Sequence, residues 1–274
     1  MKSYRLDNGV FVPSVALGTW QMDEDEAYHA TLAALRCGYR HIDTAYAYHN
    51  EEAVGRAIKD SGISRDEIFV TTKLPAEIKT YEGAMEYFSM SLRLLGLDYL
   101  DLYLIHAPWP WNEQGKDCMD GNVDVFSAFI KLYQEKKVRS IGVSNFHPDE
   151  IETLIEKTGV VPMVNQIRFF VGNIQKEVYD YCLRKNILVE AYSPLATGKL
   201  LEDENLLKMA RRYSTSAAKI LLQYCLEKHT LPIVKSVHED RIRDNLDLPF
   251  YLSCQDVGYL DSIVNSSLRK PYRY

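Results

Sequence analysis

A closed (β/α)8 TIM barrel is the fold class this sequence predicts, and three observations carry it. Short apolar runs alternate with longer amphipathic ones, eight of each, as βα units do. Each apolar run gives way to polar or glycine-containing loop material. The 274 residues are about the length that such a barrel takes. A doubly wound open sheet is the competing architecture, and it needs edge strands that this regular series does not offer.

The elements follow in order. A polar β-hairpin, YRLDNGVFVPS, opens the chain and is expected to close the barrel floor. Strand SVALG precedes a helix at 25–37, HIDTA one at 51–61, IFVTTK one at 81–95 and LDLYLIH one at 123–135. RSIGVSN then precedes 148–158, PMVNQI 174–185, ILVEAYS 216–227 and LPIVKS 239–246. In EAYHATLAALRCG the apolar side chains fall three or four apart and Gly38 supplies the stop, as in a helix lying on a sheet. HPDEIETLIEKTG starts on Pro148, carries Asp149 and Glu150 in its first turn and closes with Lys157 and Gly159, which suits both ends of the helix dipole. His49 and Asn50 are expected to cap and start the second helix, with Glu51 and Glu52 favouring its first turn. The stretch from YSPLATGKL to Asn205 reads as a short loop, and an extra C-terminal helix at 255–266 with the tail SSLRKPYRY packs outside the repeats. No composition shift marks a second domain, so 1–274 reads as one.

Composition narrows the function. Charged residues make up 26% and hydrophobic ones 46%, which is ordinary globular composition, and the net charge of −6 argues against general affinity for nucleic acid or anionic membrane. Any anion site must therefore be local. Five cysteines without CxxC spacing read as reduced thiols in a cytoplasmic protein. No segment reads as a signal peptide, and no apolar run approaches the ~18 to 20 residues that span a bilayer.

In a barrel the residues just past the C-terminal ends of the strands converge on one mouth. Polar residues stand there strand after strand: Asp43 with Tyr48 beyond it, Lys73, His106, Ser144 and Asn145, Asn165 and Gln166, Tyr192 and Ser193, Lys235 and Ser236. Taken singly, Lys73 reads as a solvated strand cap, Asp43 as a loop acceptor and His106 as a loop histidine. Brought together, three ionisable groups are costly unless they are paired or used. Tyrosine is a poor acid or base near neutrality until a neighbouring cation favours its phenolate. Lys73 is placed to lower the Tyr48 pKa, Asp43 to hold Lys73, and His106 to donate to the oxygen that Tyr48 protonates. Such a constellation polarises a carbonyl and delivers a proton as hydride arrives, without a metal.

The segments GYRHIDTAYAYHNEEAVG, IGVSNF with VNQI, and VKSVHEDRIRDN match in order the first signature, the middle region and the cofactor-end signature of one family. The sequence resembles the aldo-keto reductases over nearly its whole length. The resemblance implies a catalytic tetrad of Asp43, Tyr48, Lys73 and His106 and the reduction of a small-molecule aldehyde or ketone with NADP(H), preferred over NAD(H). It further implies that Ser144, Asn145 and Gln166 hold the nicotinamide carboxamide, that Tyr192 stacks on the ring, and that Gly18, Thr19 and Trp20 line the pocket, with Asp43 also near the ribose. Ser193 and Leu195 fall where the pyrophosphate passes. Lys235, Ser236, Arg241 and Asn245 receive the adenosine 2′-phosphate and adenine, and two cations with a hydroxyl near a helix start suit a phosphomonoester. No GxGxxG motif is present, which a cofactor lying extended over a barrel mouth does not need.

The resemblance also has departures. Arg168, Phe169 and Phe170 follow Gln166 and Ile167 where relatives carry an acidic residue and then His-Pro; Arg168 either turns outward or alters the support behind Gln166. Ala107 replaces the tryptophan that commonly follows the catalytic histidine, and Trp109 and Trp111 come slightly later. Ala196 stands where glycine is usual. The substrate pocket is assigned to Trp20, Tyr48, His106 and Trp109, with Tyr46 and Trp111 as further wall candidates. The short C-terminal tail is similar to that of bacterial-type members, and a monomer is the default. Two other readings of the barrel stay open: a nucleotide-binding regulatory protein, and an isomerase or aldolase using Lys73 as base or Schiff-base amine.

Overall fold

A computed structural model describes residues 2–263. Strands β1 (Ser3–Arg5) and β2 (Phe11–Pro13) pair antiparallel as the expected hairpin. Eight parallel strands then close on themselves: β3 (Ala16–Gly18), β4 (His41–Asp43), β5 (Phe69–Leu74), β6 (Leu100–Ile105), β7 (Val138–Ser144), β8 (Val164–Arg168), β9 (Leu188–Tyr192) and β10 (Leu231–Val234), with β10 returning to pair with β3. This is the predicted TIM barrel.

Helices cover its outside: α1 (Glu24–Cys37), α2 (Glu51–Asp60), α3 (Tyr81–Leu95), α4 (Met119–Gln134), α5 (Pro148–Thr158), α6 (Lys176–Arg184), α7 (Glu204–Arg212), α8 (Ala217–Glu227), α9 (Glu239–Leu246) and α10 (Cys254–Ser262). Helix α1 shows why these segments fold as they do. Asp23 accepts from the Glu26 backbone N–H in a capping box, and Gly38 ends the helix at φ 106°. Ala27, Ala30, Ala34 and Leu35 form its buried stripe. Gly55 in α2 is required by packing, because a Cβ there would lie 2.2 Å from the Leu95 carbonyl oxygen of α3.

The core has two parts. Outside the barrel, strand residues such as Val70, Tyr103 and Ile141 meet helix residues such as Phe126 and Phe129, all fully buried. Burying one such phenylalanine contributes roughly 1.5–3 kcal/mol. Inside, Leu6 and Val12 of the hairpin pack on Phe69, Leu102 and Leu231, so the hairpin does close the floor. Tyr4 fastens it by donating to the Thr230 carbonyl oxygen at 3.1 Å.

Three elements differ from expectation. Helix α4 begins at Met119 rather than 123, and its Gly121 lets it approach Lys79, whose carbonyl oxygen a Cβ would meet at 2.7 Å. Beyond the loop read as far as Asn205, a stretch to which the sequence assigned no element forms the additional helix α7; Asp203 caps it, and Leu206, Met209 and Ala210 bury its narrow apolar face. Helix α10 ends at Ser262, and positions 264–266 of the predicted helix and the tail beyond lie outside the described residues. No helix among the described residues is long and apolar enough to cross a membrane.

Candidate active site

Parallel pairing in register delivers the predicted ionisable residues to one place. Asp43 ends β4 opposite Thr71, and Lys73 lies opposite Leu104 near the end of β5. His106 follows β6, held by its backbone N–H to the Leu74 carbonyl oxygen at 3.3 Å. Tyr48 closes a 3-10 turn, Tyr46–Tyr48, and His49 at φ 56° swings the chain into α2.

That turn is held by a residue whose role the sequence did not disclose. Asn50 stands before α2 but makes no side-chain capping bond. Its amide donates to the carbonyl oxygens of Thr19 and Met22, both at 3.0 Å, and its Oδ1 accepts from the hydroxyls of Thr44 at 3.0 Å and Thr19 at 3.3 Å. Every hydrogen-bonding valence of the amide is used, which ties the Tyr48 loop to the loop after β3. Its neighbour Glu51 stands in the first turn of α2 as expected, but not as an exposed charge. It is buried, accepts from Thr72 and Ser91, and burial raises its pKa.

The Lys73 ammonium is fully buried and finds three acceptors: Asp43 Oδ1 at 2.6 Å, the Thr44 carbonyl oxygen at 2.9 Å and the Tyr48 hydroxyl at 3.4 Å. Burial alone would depress the Lys73 pKa, but Asp43 and Tyr48 together hold it above its ordinary value. Burial raises the Asp43 carboxyl, against the pull of Lys73 and Gln166. The Tyr48 hydroxyl lies 3.5 Å from His106 Nε2, a loose contact of the kind that tightens around substrate. Burial, then the Lys73 charge, push the His106 pKa well below its usual value, so the imidazole is neutral.

Tyr48 departs from expectation in sign. Burial raises its pKa, and Lys73 offsets only part of that rise. The hydroxyl consequently keeps its proton near neutrality, as a donor to a developing alkoxide must.

Beside this cluster, Gln166 Nε2 donates to Asp43 Oδ2 and to Glu190 Oε2, both at 2.8 Å. Ser144 Oγ donates to the Gln166 carbonyl oxygen at 2.8 Å, Asn145 Nδ2 to the His106 carbonyl oxygen at 3.0 Å, and the Tyr192 hydroxyl to Asn145 Oδ1 at 2.8 Å. Gln166 and Asn145 are thus bonded directly to tetrad residues, and Ser144 and Tyr192 are linked to the tetrad through them. Asn165 instead turns its amide to the Phe146 carbonyl oxygen, inside the wall. The half-buried Arg168 places its guanidinium carbon over the Phe170 ring, 5.2 Å from the centroid, while the Gln166 side-chain amide bonds to Asp43 and Glu190.

The aromatic wall is rearranged around Ala107. Trp111 stands edge-on to His106 with centroids 5.3 Å apart, and Trp109 packs behind Trp111 at 5.2 Å with only 2% of its surface exposed. The ring facing His106 is therefore Trp111 rather than Trp109. Half-buried Lys79 braces this loop, donating to the Ala107 carbonyl oxygen at 2.8 Å and to Asn122 Oδ1 at 2.7 Å, while Asn122 donates to the Pro108 carbonyl oxygen at 2.8 Å. Trp20 is 52% exposed at the mouth, and Tyr46 packs edge-on against Tyr87.

At the far side, Gly18 is packed so closely that a Cβ would meet Ile233 at 2.7 Å, and Thr19 donates its backbone N–H to the Asp43 carbonyl oxygen at 3.0 Å. Ser193, Ala196 and Thr197 hold left-handed backbone at φ 54°, 51° and 55°, and partly buried Leu195 lies among them. Glycine at position 196 would relieve one of those strains. Near the start of α9, Lys235 and Arg241 are exposed, Ser236 Oγ accepts from the His238 N–H at 3.1 Å, and Asn245 is buried one turn on. Arg241 has no ion-pair partner among the described residues, whereas Arg243 is engaged by Glu239.

A barrel whose mouth joins a proton-bearing tyrosine to a buried lysine, aspartate and neutral histidine defines a carbonyl oxidoreductase. The aldo/keto reductase family model matches residues 14–265, and the chain belongs to that family. It is 42% identical over 261 residues to the glyoxal reductase of Bacillus subtilis, covering 94% of this chain and 91% of that one. A crystal structure of an aldo/keto reductase from Brucella melitensis superposes with a TM-score of 0.89 at 42% identity, covering 95% of this chain and 98% of the other. A Bombyx mori aldo-keto reductase crystallised with NADP gives a TM-score of 0.87 at 34% identity, covering 95% and 92%.

Proposed function

We propose that the enzyme reduces small to medium aldehydes, α-dicarbonyls or keto sugars with NADPH, using Tyr48 as the proton donor. The carrying observation is the convergence on the Tyr48 hydroxyl of Lys73 Nζ at 3.4 Å and His106 Nε2 at 3.5 Å. A carbonyl oxygen placed between Tyr48 and His106 meets two neutral hydrogen-bonding groups, and Lys73 stabilises the tyrosinate left after proton transfer. Asp43 keeps Lys73 charged and aimed. The cofactor, when bound, supplies the hydride.

The residues present suit such a cofactor. Asn145, Gln166 and Tyr192 offer polar and aromatic groups beside the tetrad, and Lys235 and Arg241 offer cations for a 2′-phosphate. This favours NADPH over NADH. A lysine-dependent aldolase fits less well, because Lys73 carries its full set of three partners and is held charged rather than as a free amine. The five cysteines are all free, which supports a reducing, cytoplasmic setting.

The test is NADPH oxidation, followed by absorbance, with methylglyoxal, an aromatic aldehyde, xylose and a diketo sugar acid. Carbonyl-dependent oxidation is expected with at least one of these. Oxidation with none, together with a borohydride-trapped lysine adduct, would favour the aldolase reading.

A further inference from the structure

Glu190 is a carboxyl group for which the reaction above has no use. It sits in β9 with none of its surface exposed, and its register partners are Gln166 on β8 and Leu231 on β10. Tyr192 follows two residues later on the same face of the strand. Glu190 Oε2 accepts from Gln166 Nε2 at 2.8 Å, the nitrogen that also donates to Asp43 Oδ2 at 2.8 Å. Oε1 has no hydrogen-bond partner among the described residues.

Two acids therefore share one amide, and only one of them has a cation. Lys73 lies 2.6 Å from Asp43 Oδ1, so the charge resides on Asp43 and the proton on Glu190. With both amide hydrogens of Gln166 committed to acids, its carbonyl oxygen is the group left to accept from a carboxamide above it.

We propose that Glu190 is a positioning residue that fixes the Gln166 amide beneath the nicotinamide and gives up its proton when the oxidised, positively charged cofactor binds. The inference rests on the cofactor reading given above. Its physical basis is charge. Nicotinamide carries a positive charge only when oxidised, and an anion below it stabilises that form alone. The step balances as Glu190 carboxylic acid going to carboxylate, with the proton passing to solvent.

The surroundings set where this happens. Burial, then the Asp43 charge, push the Glu190 pKa up to about 8, with Gln166 and Lys73 pulling the other way. Leu231 on β10 brings no charge. Asp43 is paired with Lys73, Lys73 and Tyr48 are raised above their usual values, and His106 is lowered well below its own. Glu190 is thus the member of the cluster that titrates in the mildly alkaline range. Because oxidised cofactor favours the ionised form, its affinity must rise with pH through that range, and binding must release protons.

The experiment measures Kd for NADP+ and for NADPH by tryptophan fluorescence from about pH 6.5 to about 9.5, on the wild type and on Glu190→Gln. The ratio of the two constants cancels the ionisation of the shared 2′-phosphate. In the wild type the ratio of the NADP+ to the NADPH constant should fall by about tenfold as pH rises, as lowering the carboxyl pKa by one unit implies. In Glu190→Gln, which keeps an acceptor for Gln166 but cannot ionise, the ratio should be flat. Proton release into a weakly buffered dye solution, read on the wild type near pH 8, should accompany NADP+ and not NADPH. That readout stands even if the variant fails to fold. A flat wild-type ratio, or the same slope in Glu190→Gln, would overturn the proposal. Binding of neither dinucleotide at any pH would remove the cofactor reading, and this inference with it.

Discussion

The floor and the mouth of the barrel are built from the two ends of the same strands, and each buries a carboxyl group on different terms. On the floor, Asp101 of β6 is fully buried and fully paired. Its Oδ1 accepts from Arg139 at 2.7 Å, and its Oδ2 accepts from Arg65 at 2.8 Å and from the Val70 N–H at 2.9 Å. At the mouth, Glu190 Oε1 and His106 Nδ1 lack partners among the described residues, and Asn145, Ser193, Ala196 and Thr197 hold left-handed backbone without being glycine. Asp101 is tied through both oxygens to cations, whereas Glu190 shares a single amide and leaves one oxygen unpaired. Left-handed non-glycine residues occur at both ends, with Lys136, Asn186 and His229 entering β7, β9 and β10 on the floor side, so the difference lies in how each buried carboxyl group is paired.

This contrast sets out what should follow from breaking either end. Asp101→Ala should destabilise the protein by several kcal/mol, since each charge-assisted bond it loses contributes roughly 1.5–3 kcal/mol. Chemical denaturation would read that loss, while kcat of the folded fraction should stay near the wild-type value. A matching fall in kcat would mean that the two ends are not separable. At the mouth, Arg241→Ala should weaken NADPH binding by about tenfold or more through one lost charge-assisted contact, and leave NADH nearly unchanged. Equal weakening of both cofactors would remove Arg241 from the 2′-phosphate site. The smallest effect is expected at Ala196→Gly, where relief of the left-handed strain should raise stability by up to about 1 kcal/mol, read as a higher denaturation midpoint. A lower midpoint there would show that the loop after β9 is not strained.

What the sequence discloses divides along the same line. Alternating runs announce the eight strands, because a strand covered on both faces must be apolar and its end at the mouth must turn polar. Asp43, Lys73 and His106 were legible as strand-end residues and Tyr48 as a residue of the loop beyond, their joint chemistry followed from that convergence, and the family resemblance then implied that they form a catalytic tetrad. Three features were not. Helix α7 escaped because its apolar face is only Leu206, Met209 and Ala210 in a mostly polar stretch. The direction of the Tyr48 shift depends on how far burial outweighs Lys73, which no linear pattern encodes. Asn50 and Glu51 look like an ordinary helix start, and their buried bonds to Thr19, Thr44, Thr72 and Ser91 exist only once the strands are side by side. Glu190 did leave a trace, as a single acid inside the apolar run ILVEAY. Trp111, not Trp109, is the ring beside His106, with centroids 5.3 Å apart, a choice between two nearby tryptophans that the linear spacing does not decide.

Tyr48 is proposed as the proton donor and not as part of the cofactor site. The most direct measurement is kcat for carbonyl reduction and Kd for NADPH on Tyr48→Phe beside the wild type. A loss of about 10²- to 10⁴-fold in kcat is expected with NADPH affinity essentially retained, because one hydroxyl is removed and the ring, Lys73 and the cation pair at α9 remain. Turnover near the wild-type value, or a loss explained wholly by weaker NADPH binding, would contradict it.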